Sequence, residues 1–288
     1  MIQGLQSSPV FLVASAGLLG LLVGSFLNVV ALRLPRMMER SWQREAREIL
    51  GLEAEAGSEA RFSLVYPPSR CPSCGAGIKP WQNIPVISWL ALRGRCAGCG
   101  TGISVQYPLV ELATGVLSAV CAWQLGWGAP LAAGLVLTWV LVALSVIDLR
   151  TQLLPDDLTL PLLWLGLGLS LVPVFADPVS AIVGAMAGYL SLWSVYWLFK
   201  LTTGKEGMGY GDFKLLAALG AWLGWQALPM ILLLSSLVGA MVGIALIVAR
   251  RAGRSEPLPF GPYLAAAGWV ALLFGDALTR AYLGQFGG

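Results

Sequence analysis

The sequence contains no histidine, and this absence excludes several kinds of catalytic site. Serine and cysteine nucleophiles activated by histidine, HExxH metalloprotease sites and histidine-ligated metals all require an imidazole ring. Any chemistry that the chain performs must therefore use aspartate, glutamate, cysteine, lysine, tyrosine or serine side chains.

Charged residues are also scarce. They make up 11% of the 288 residues, whereas hydrophobic residues make up 57%, and the mean hydropathy is +0.75. This balance excludes a single soluble core and predicts an all-α protein that crosses a lipid bilayer several times. The net charge of +3 is small, and no long basic run lies outside residues 33–104. Nothing therefore indicates nucleic acid as a partner.

The pattern of apolar runs predicts three parts. Residues 1–32 hold a first transmembrane helix at about 9–32, with a face of small residues formed by Gly17, Gly20, Gly24 and Ser25. Residues 33–104 form a polar insert, in which residues 38–56 are predicted to be an exposed, charged helix. Residues 105–288 form a membrane domain of seven further helices, which we expect at about 107–124, 129–147, 158–176, 178–199, 213–225, 228–249 and 260–278.

The distribution of positive charge predicts the orientation of these eight spans. Lysine and arginine concentrate on the cytoplasmic side of membrane proteins. With the N-terminus outside, the insert and the loops at 148–157, 200–214 and 250–259 lie inside, and Arg280 is then the one basic residue left outside. We therefore expect a cytosolic insert and an N-terminus on the opposite side.

Two aspartates stand at the edges of apolar runs. Asp148 closes the third predicted span, and Asp212 opens the sixth, where Gly209 and Gly211 flank it. Two whole spans separate them, so both return to the same side of the bilayer, where a buried carboxylate indicates a functional site. A pair of carboxyl groups sharing one proton predicts aspartyl proteolysis, in which one activates water and the other polarises the scissile carbonyl. The alternative is that each acid pairs with Arg150 or Lys214 at the interface.

Other polar residues near the span ends have two interpretations each. Asn28 is either a hydrogen-bonding residue between helices or part of a site. Glu111, inside the second span, either contacts the insert or lines the site. Asp156 and Asp157 follow Pro155 and are either N-caps of the fourth span, which we favour, or part of the site.

The insert contains four cysteines in two C-x-x-C pairs. Cys71 and Cys74 are separated by 21 residues from Cys96 and Cys99, which is close to the spacing of a four-thiolate zinc site. A disulfide is the weaker alternative because thiols stay reduced in the cytosol. Four protein ligands would close the zinc site, so zinc should fold the insert and not activate water. The fifth cysteine, Cys121, is interpreted as a buried apolar residue.

Several motifs, in their order and separation, resemble those of bacterial type IV prepilin peptidases. They are Gly24-Ser25-Phe26-Leu27-Asn28-Val29 with Arg33-Leu34-Pro35, the two cysteine pairs with Asn83-Ile84-Pro85 and Arg93-Gly94-Arg95 between them, Tyr107-Pro108-Leu109-Val110-Glu111, Asp148 with Leu154-Pro155-Asp156, and Gly209-Tyr210-Gly211-Asp212. The resemblance covers nearly the whole chain.

This resemblance implies an inner-membrane protease of the GxGD type with Asp148 and Asp212 as its catalytic residues. It implies cleavage of prepilins or pseudopilins on the cytoplasmic side, after the glycine that ends a short basic leader. It also implies methylation of the new N-terminal residue, usually phenylalanine, with S-adenosylmethionine as methyl donor and the cysteine-bearing insert involved. Two other functions fit parts of the pattern: a transporter with intramembrane acids and a regulatory zinc insert, and a zinc-stabilised membrane methyltransferase without protease activity.

Overall fold

Helices and turns form nearly all the secondary structure of the chain. A computed structural model describes residues 8–52, 62–249 and 258–284. Within these ranges there are nine α-helices, two short 3₁₀ turns at Pro80–Asn83 and Trp225–Ala227, and two isolated antiparallel bridges. The helices are α1 (Pro9–Ile49), α2 (Ile87–Ala91), α3 (Gln106–Leu125), α4 (Ala129–Thr151), α5 (Asp156–Ser170), α6 (Pro178–Thr203), α7 (Tyr210–Leu223), α8 (Leu228–Val248) and α9 (Gly261–Gly284).

Eight of these helices correspond to the eight predicted spans, but they differ in length. Among the described residues, five are long and apolar enough to cross a membrane: α1, α3, α4, α6 and α8 with its preceding turn. Helices α5 and α7 have 15 and 14 residues, fewer than the roughly 20 that a bilayer core requires. The all-helical, multi-span class is confirmed, whereas the count of eight crossings stays a prediction.

The first helix differs from the sequence prediction. We expected a span at 9–32 followed by a separate charged helix at 38–56, but α1 is one helix of 41 residues that passes through Pro35. Proline inside a helix removes one backbone hydrogen bond, yet Pro35 is buried and the helix continues. The charged segment is thus the far end of α1, and its predicted residues 53–56 lie outside the described ranges.

The chain divides into two compact units, residues 1–123 and residues 124–288. In the first unit, the small-residue face of α1 packs directly on α3. A Cβ atom on Gly24 would lie 2.8 Å from Glu111 Cα, and one on Gly20 would overlap the Ser118 side chain. Glycine is therefore required at these positions, as the sequence pattern predicted.

The second unit is built around α7. Ten of its residues are buried, from Asp212 and Phe213 to Trp222, and α5, α6 and α9 pack around it. A helix that is apolar on all sides is typical of such a central position. Trp222 fixes its far end by donating a hydrogen bond of 2.8 Å from Nε1 to the Leu162 carbonyl oxygen of α5. The position of Asp212, in the first turn of α7, is therefore set by a rigid helix.

Helices α6 and α7 approach most closely at two glycines. A Cβ atom on Gly220 would overlap the carbonyl oxygen of Gly184, and one on Gly184 would overlap that of Gly220. One turn along, a Cβ on Gly188 would lie 2.6 Å from the Leu216 carbonyl oxygen. Backbone atoms cannot move aside as the end of a flexible side chain can. This close contact therefore requires glycine, which has no side chain, at these positions.

We expect Gly220→Ala to destabilise the protein by about 1–3 kcal/mol, because the added methyl group forces α6 and α7 apart. Gly168→Ala is the matched control, because Gly168 is also in a helix and a Cβ atom there would have no neighbouring atom within 4 Å. Alanine also has a higher helix propensity than glycine. Thermal unfolding in detergent measures both variants. Equal melting temperatures for the two would contradict this account of the contact.

Candidate active site and metal centre

Asp148 lies near the C-terminal end of α4 in apolar surroundings. It is 4% exposed, and its neighbours Leu144 and Ile147 are fully buried. The backbone N–H of Gly261 donates a hydrogen bond of 2.9 Å to Asp148 Oδ2. Gly261 is the first residue of α9, so this N–H is one of those that a helix N-terminus leaves without an intrahelical acceptor. The end of α9 therefore supplies a fixed donor to a buried carboxylate.

This approach requires glycine at position 261. A Cβ atom there would lie 2.7 Å from Asp148 Oδ2 and 3.1 Å from Leu154 Cδ2. Any side chain would thus push the carboxylate away from its donor. The sequence analysis did not identify Gly261 as a site residue. Its signal is Pro262, since proline is favoured in the first turn of a helix and so marks the N-terminus that faces Asp148.

Asp212 lies in the first turn of α7 and is 7% exposed. Its Oδ1 atom is buried and has no hydrogen-bond partner among the described residues. A buried carboxylate oxygen without a donor costs free energy, and such atoms in native structures call for a functional explanation. Asp212 therefore presents one oxygen that is available to a water molecule or a substrate.

We expected the glycines beside Asp212 to allow unusual backbone angles and the close approach of an extended peptide. The first part is wrong, because neither Gly209 nor Gly211 has a positive φ angle. Gly211 instead allows close approach, because a Cβ there would lie 2.7 Å from Leu154 Cβ. Gly209 is the N-cap residue of α7, with extended backbone. The helix start, and hence the Asp212 side chain, comes close to the segment that follows α4.

The fold brings Asp148 and Asp212 together. Leu154 packs against both Gly211, which precedes Asp212, and Gly261, which binds Asp148. The two aspartates are near enough for their charges to interact. Two carboxylates at one place in a buried setting are suited to share a proton. The catalytic role of the pair stays a prediction.

Lys214 forms its ion pair with Asp156, whereas the alternative interpretation placed it beside Asp212. Lys214 Nζ donates to both carboxylate oxygens of Asp156, at 2.6 and 2.7 Å. Asp156 and Asp157 lie in the first turn of α5, where acidic side chains interact favourably with the helix dipole. Their predicted role as N-caps is wrong, because Pro155 occupies that position.

A polar and aromatic cluster holds the loop that leads into α7. Lys200 Nζ donates to Glu206 Oε1 at 2.8 Å and to the Tyr196 hydroxyl at 3.2 Å. The Tyr196 ring packs against those of Tyr210 and Phe213, with centroids 5.3 to 5.7 Å apart in the cluster. These contacts tie the end of α6 to the start of α7 and so position the loop beside Asp212.

The four cysteines of the insert form one cluster. All four Sγ atoms lie within 4.8 Å of one another, and those of Cys71 and Cys99 are 3.8 Å apart. A tetrahedral zinc ion with bonds of about 2.3 Å requires sulfurs about 3.8 Å apart. The residues present therefore fit a four-thiolate zinc site, although zinc as the bound ion stays a prediction.

Each cysteine pair lies in the same local structure, so the site has internal symmetry. The Cys71 N–H donates to the Ala76 carbonyl oxygen, and the Cys96 N–H donates to that of Thr101. Gly75 and Gly100 follow the second cysteine of each pair with φ angles of +72° and +74°, which glycine adopts at no cost. Two equivalent turns therefore present two thiols each to one point.

A neighbouring hydroxyl lowers the pKa of one of the four thiols. The Thr101 hydroxyl lies 3.3 Å from Cys99 Sγ, and this hydrogen bond lowers the pKa of the Cys99 thiol to about 6. Thiolate is the form that binds a metal. The chemistry of this residue thus agrees with the geometry of the cluster.

Glu111 and Asn28 lie in the first unit, where they join α1, α3 and the insert. Glu111 is 7% exposed; its Oε2 accepts a hydrogen bond of 2.8 Å from the Val86 N–H, and the Ser25 side chain also hydrogen-bonds to it. Asn28 Nδ2 donates to the carbonyl oxygens of Gly24 and Tyr107, at 3.3 and 3.1 Å. Glu111 therefore contacts the insert, which was one of its two predicted roles.

The partner of Glu111 is a strained turn. Val86 has φ +61° and ψ −49°, and the Ile87 N–H donates across it to the Pro85 carbonyl oxygen. This is the rarer form of γ-turn, and a positive φ is unusual for a β-branched residue. The hydrogen bond to Glu111 stabilises a backbone conformation that valine would not otherwise adopt.

Taken together, these features define an all-helical, multi-span membrane protein with two buried aspartates near one another and a four-cysteine cluster. Residues 18–125 match the bacterial peptidase A24 N-terminal domain, and residues 135–244 match the type IV leader peptidase family. The chain belongs to the type IV leader peptidase family.

Curated relatives match nearly the whole chain. A prepilin leader peptidase/N-methyltransferase of Pseudomonas aeruginosa is 59% identical over 288 residues, which cover 100% of this chain and 99% of the relative. Proteins of the same name from Aeromonas hydrophila and Neisseria gonorrhoeae are 60% and 51% identical, each over 271 residues and 93% of its own length. No solved structure matches the chain.

We expect the purified protein to contain one zinc ion per chain, and Cys71→Ser to lose it, because three thiolates and a hydroxyl bind zinc less well. Cys121→Ala is the control, since Cys121 is buried in α3 away from the cluster. Elemental analysis of the two variants measures the zinc. A wild-type protein that retains no metal after purification in zinc-containing buffer would refute the assignment.

We expect Glu111→Ala to loosen the turn at Val86. The Val86 N–H would lose the Glu111 carboxylate as its acceptor, at a cost of about 1–3 kcal/mol. Amide exchange of Val86 and its neighbours Ile87 and Ser88 should accelerate roughly tenfold or more, as that free energy implies. Glu111→Gln keeps a carbonyl oxygen at the same place and should exchange nearly as the wild type does. Identical exchange in all three proteins would show that Glu111 does not hold the turn.

Proposed function

We propose that this protein is a membrane aspartyl endopeptidase that removes the basic leader from type IV prepilins or pseudopilins. After cleavage it methylates the new N-terminal residue, with S-adenosylmethionine as the methyl donor. The observation that carries the proposal is the proximity of Asp148 and Asp212, two buried carboxylates on separate helices whose neighbours Gly261 and Gly211 both lie against Leu154. The names of the relatives, prepilin leader peptidase/N-methyltransferase, supply the substrate class and the second activity.

The two carboxylates would divide the work of peptide hydrolysis. One ionised carboxylate takes a proton from water, whose oxygen attacks the scissile carbonyl carbon, while the other, protonated, donates to the carbonyl oxygen. The resulting tetrahedral diol collapses as the C–N bond breaks, and the amine nitrogen takes up a proton. Asp212 supports this scheme through its unpartnered Oδ1, and Asp148 through the fixed Gly261 N–H donor.

The location of the aspartates suits a substrate with a basic leader and an apolar helix. The bond between these parts of such a substrate lies where the bilayer meets the cytosol. Lys200, at the end of α6, and Lys214, near the start of α7, support the same placement, because basic residues favour the cytoplasmic side. We therefore propose a bacterial inner-membrane protein with a periplasmic N-terminus and an active site that faces the cytoplasm. The basic residues Arg250, Arg251 and Arg254, used in that prediction, lie outside the described residues.

The four-cysteine insert would hold zinc in a closed site. With Cys71, Cys74, Cys96 and Cys99 as ligands, the ion would keep the insert folded and leave no position for water. S-adenosylmethionine supplies an electrophilic methyl group to the amine when it is bound. We propose that the folded insert is needed for methyl transfer, whereas peptide hydrolysis depends on the membrane unit that contains both aspartates.

The alternative functions have less support. The hypothesis of a transporter with a regulatory zinc insert has no support from the family or the relatives, because both are named as peptidases. A methyltransferase without protease activity would need Asp148 and Asp212 to be ion-paired at the interface, but Lys214 pairs with Asp156 and Asp148 accepts a backbone N–H.

We expect Asp148→Asn and Asp212→Asn each to reduce cleavage of a synthetic prepilin at least about a thousandfold, because an amide can neither accept the proton of water nor donate an acidic one. The melting temperature in detergent controls for folding. Cleavage at the wild-type rate in both variants would eliminate the aspartyl mechanism.

We expect Cys71→Ser to reduce N-methylation of a precleaved pilin peptide more than it reduces cleavage of the intact prepilin. The physical reason is that loss of a ligand unfolds the insert and leaves α4 and α7 intact. Mass spectrometry of both products gives the two rates. Parallel loss of the two activities would contradict a separate role for the insert.

A further inference from the structure

An apolar groove lies in the second unit, between α6, α8 and α9. Its volume is about 390 Å³, and it is partly open. Its lining includes Leu192 and Val195 of α6, Ser236, Gly239 and Ala240 of α8, and Tyr263 of α9. The size falls within the range of about 300–1,000 Å³ that is typical of ligand sites. No residue assigned to the catalytic pair lines this groove.

One end of the groove adjoins the two aspartates through the chain. Met208 lines the groove and immediately precedes Gly209, the N-cap residue of the helix that carries Asp212. Phe260 also lines it and immediately precedes Gly261, whose N–H binds Asp148. Two lining residues of the groove are therefore direct chain neighbours of the residues that start α7 and bind Asp148.

From that end the groove extends into the apolar part of the bundle. Leu192 precedes Lys200 by eight residues on α6, which corresponds to about 12 Å along the helix. Lys200 is at the polar end, where it pairs with Glu206. A segment bound along this wall would leave the active site and descend about two helical turns into the bilayer core, so its own side chains must be apolar.

The α8 wall has the character of a helix-packing face. Ser236, Gly239 and Ala240 are spaced at i, i+3 and i+4, and Ser236 and Ala240 are exposed. Gly239 lies against the Tyr263 ring, whose Cδ2 would be 3.2 Å from an added Cβ. Small residues in a membrane helix allow a second helix to approach closely. These three form such a face, and no described residue covers Ser236 or Ala240.

We propose that this groove binds the apolar segment that follows the scissile bond of the prepilin, and accommodates its first large side chains beside Ala240 and Tyr263. The inference rests on the proposed function, which supplies a substrate with an apolar helix at that place. It adds that recognition extends beyond the leader: the protein selects its substrates by the apolar segment as well.

The test compares two substrates in the full-length protein reconstituted in detergent micelles. One is a synthetic prepilin with its leader and complete apolar helix, and the other ends shortly after the scissile bond. The variant Ala240→Trp fills the groove with an indole. The variant Met241→Trp is the matched control, because Met241 is 63% exposed on the same helix and does not line the groove. The readout is the ratio of kcat/KM for the long substrate to that for the short one.

We expect Ala240→Trp to lower this ratio about tenfold or more, since the burial of one large apolar side chain is worth that factor in binding. The loss should appear in KM for the long substrate. We expect Met241→Trp to keep the wild-type ratio. Because each ratio is taken within one protein preparation, partial unfolding of a variant does not change it.

Two other outcomes would overturn the inference in distinguishable ways. An active Ala240→Trp enzyme with the wild-type ratio would show that the groove does not bind the substrate. If native mass spectrometry also showed that this variant had lost a copurified lipid, the groove would be assigned as a lipid site. A wild-type protein that cleaves neither substrate, while folded, would overturn the proposed function itself and the groove assignment with it.

Discussion

The energetic cost of placing carboxylates among apolar helices constrains the whole second unit. A buried charge is stable only where fixed donors replace water, and the N-terminus of α9 supplies one such donor to Asp148 through the Gly261 N–H. Asp212 has no donor for Oδ1 among the described residues. The pair therefore combines a carboxylate that has a fixed hydrogen-bond donor with one that has an oxygen without a donor. That asymmetry is what a site for water and a peptide carbonyl requires, and it depends on helices held rigidly in place.

Rigid placement comes from close backbone contacts as much as from side-chain packing. The central helix α7 touches α6 where Gly184 meets Gly220, and its start touches Leu154 through Gly211. Lipid offers no hydrophobic drive for helices to associate, so membrane bundles rely on such close contacts. The α8 surface around Ala240, which lacks a partner helix, is also made of small residues that allow close contact. The packing of the bundle and the proposed binding of a substrate helix therefore use the same kind of surface.

The sequence predicted the helical class, the small-residue face of α1, the four-cysteine cluster and the return of both aspartates to one edge, because apolar length, C-x-x-C spacing and burial of charge are local signals. It did not predict Gly261 as a site residue, the continuity of α1 through Pro35 or the turn at Val86. The role of Gly261 and the turn at Val86 depend on contacts between residues far apart in the chain: Asp148 with α9, and Glu111 with the insert. The contact of Trp222 on α7 with Leu162 on α5 is likewise long-range, and hydropathy carries no information about it.

The most direct measurement of the central claim is an experimental structure of the protein with a prepilin analogue that carries a hydroxyl group in place of the scissile carbonyl. Such a group imitates the tetrahedral diol of peptide hydrolysis. The account predicts that this single oxygen lies within hydrogen-bonding distance, roughly 3 Å, of a carboxylate oxygen of Asp148 and of one of Asp212, with the apolar segment of the analogue along α8. An analogue that contacts neither aspartate, or side chains of Asp148 and Asp212 that face separate regions in the complex, would contradict it.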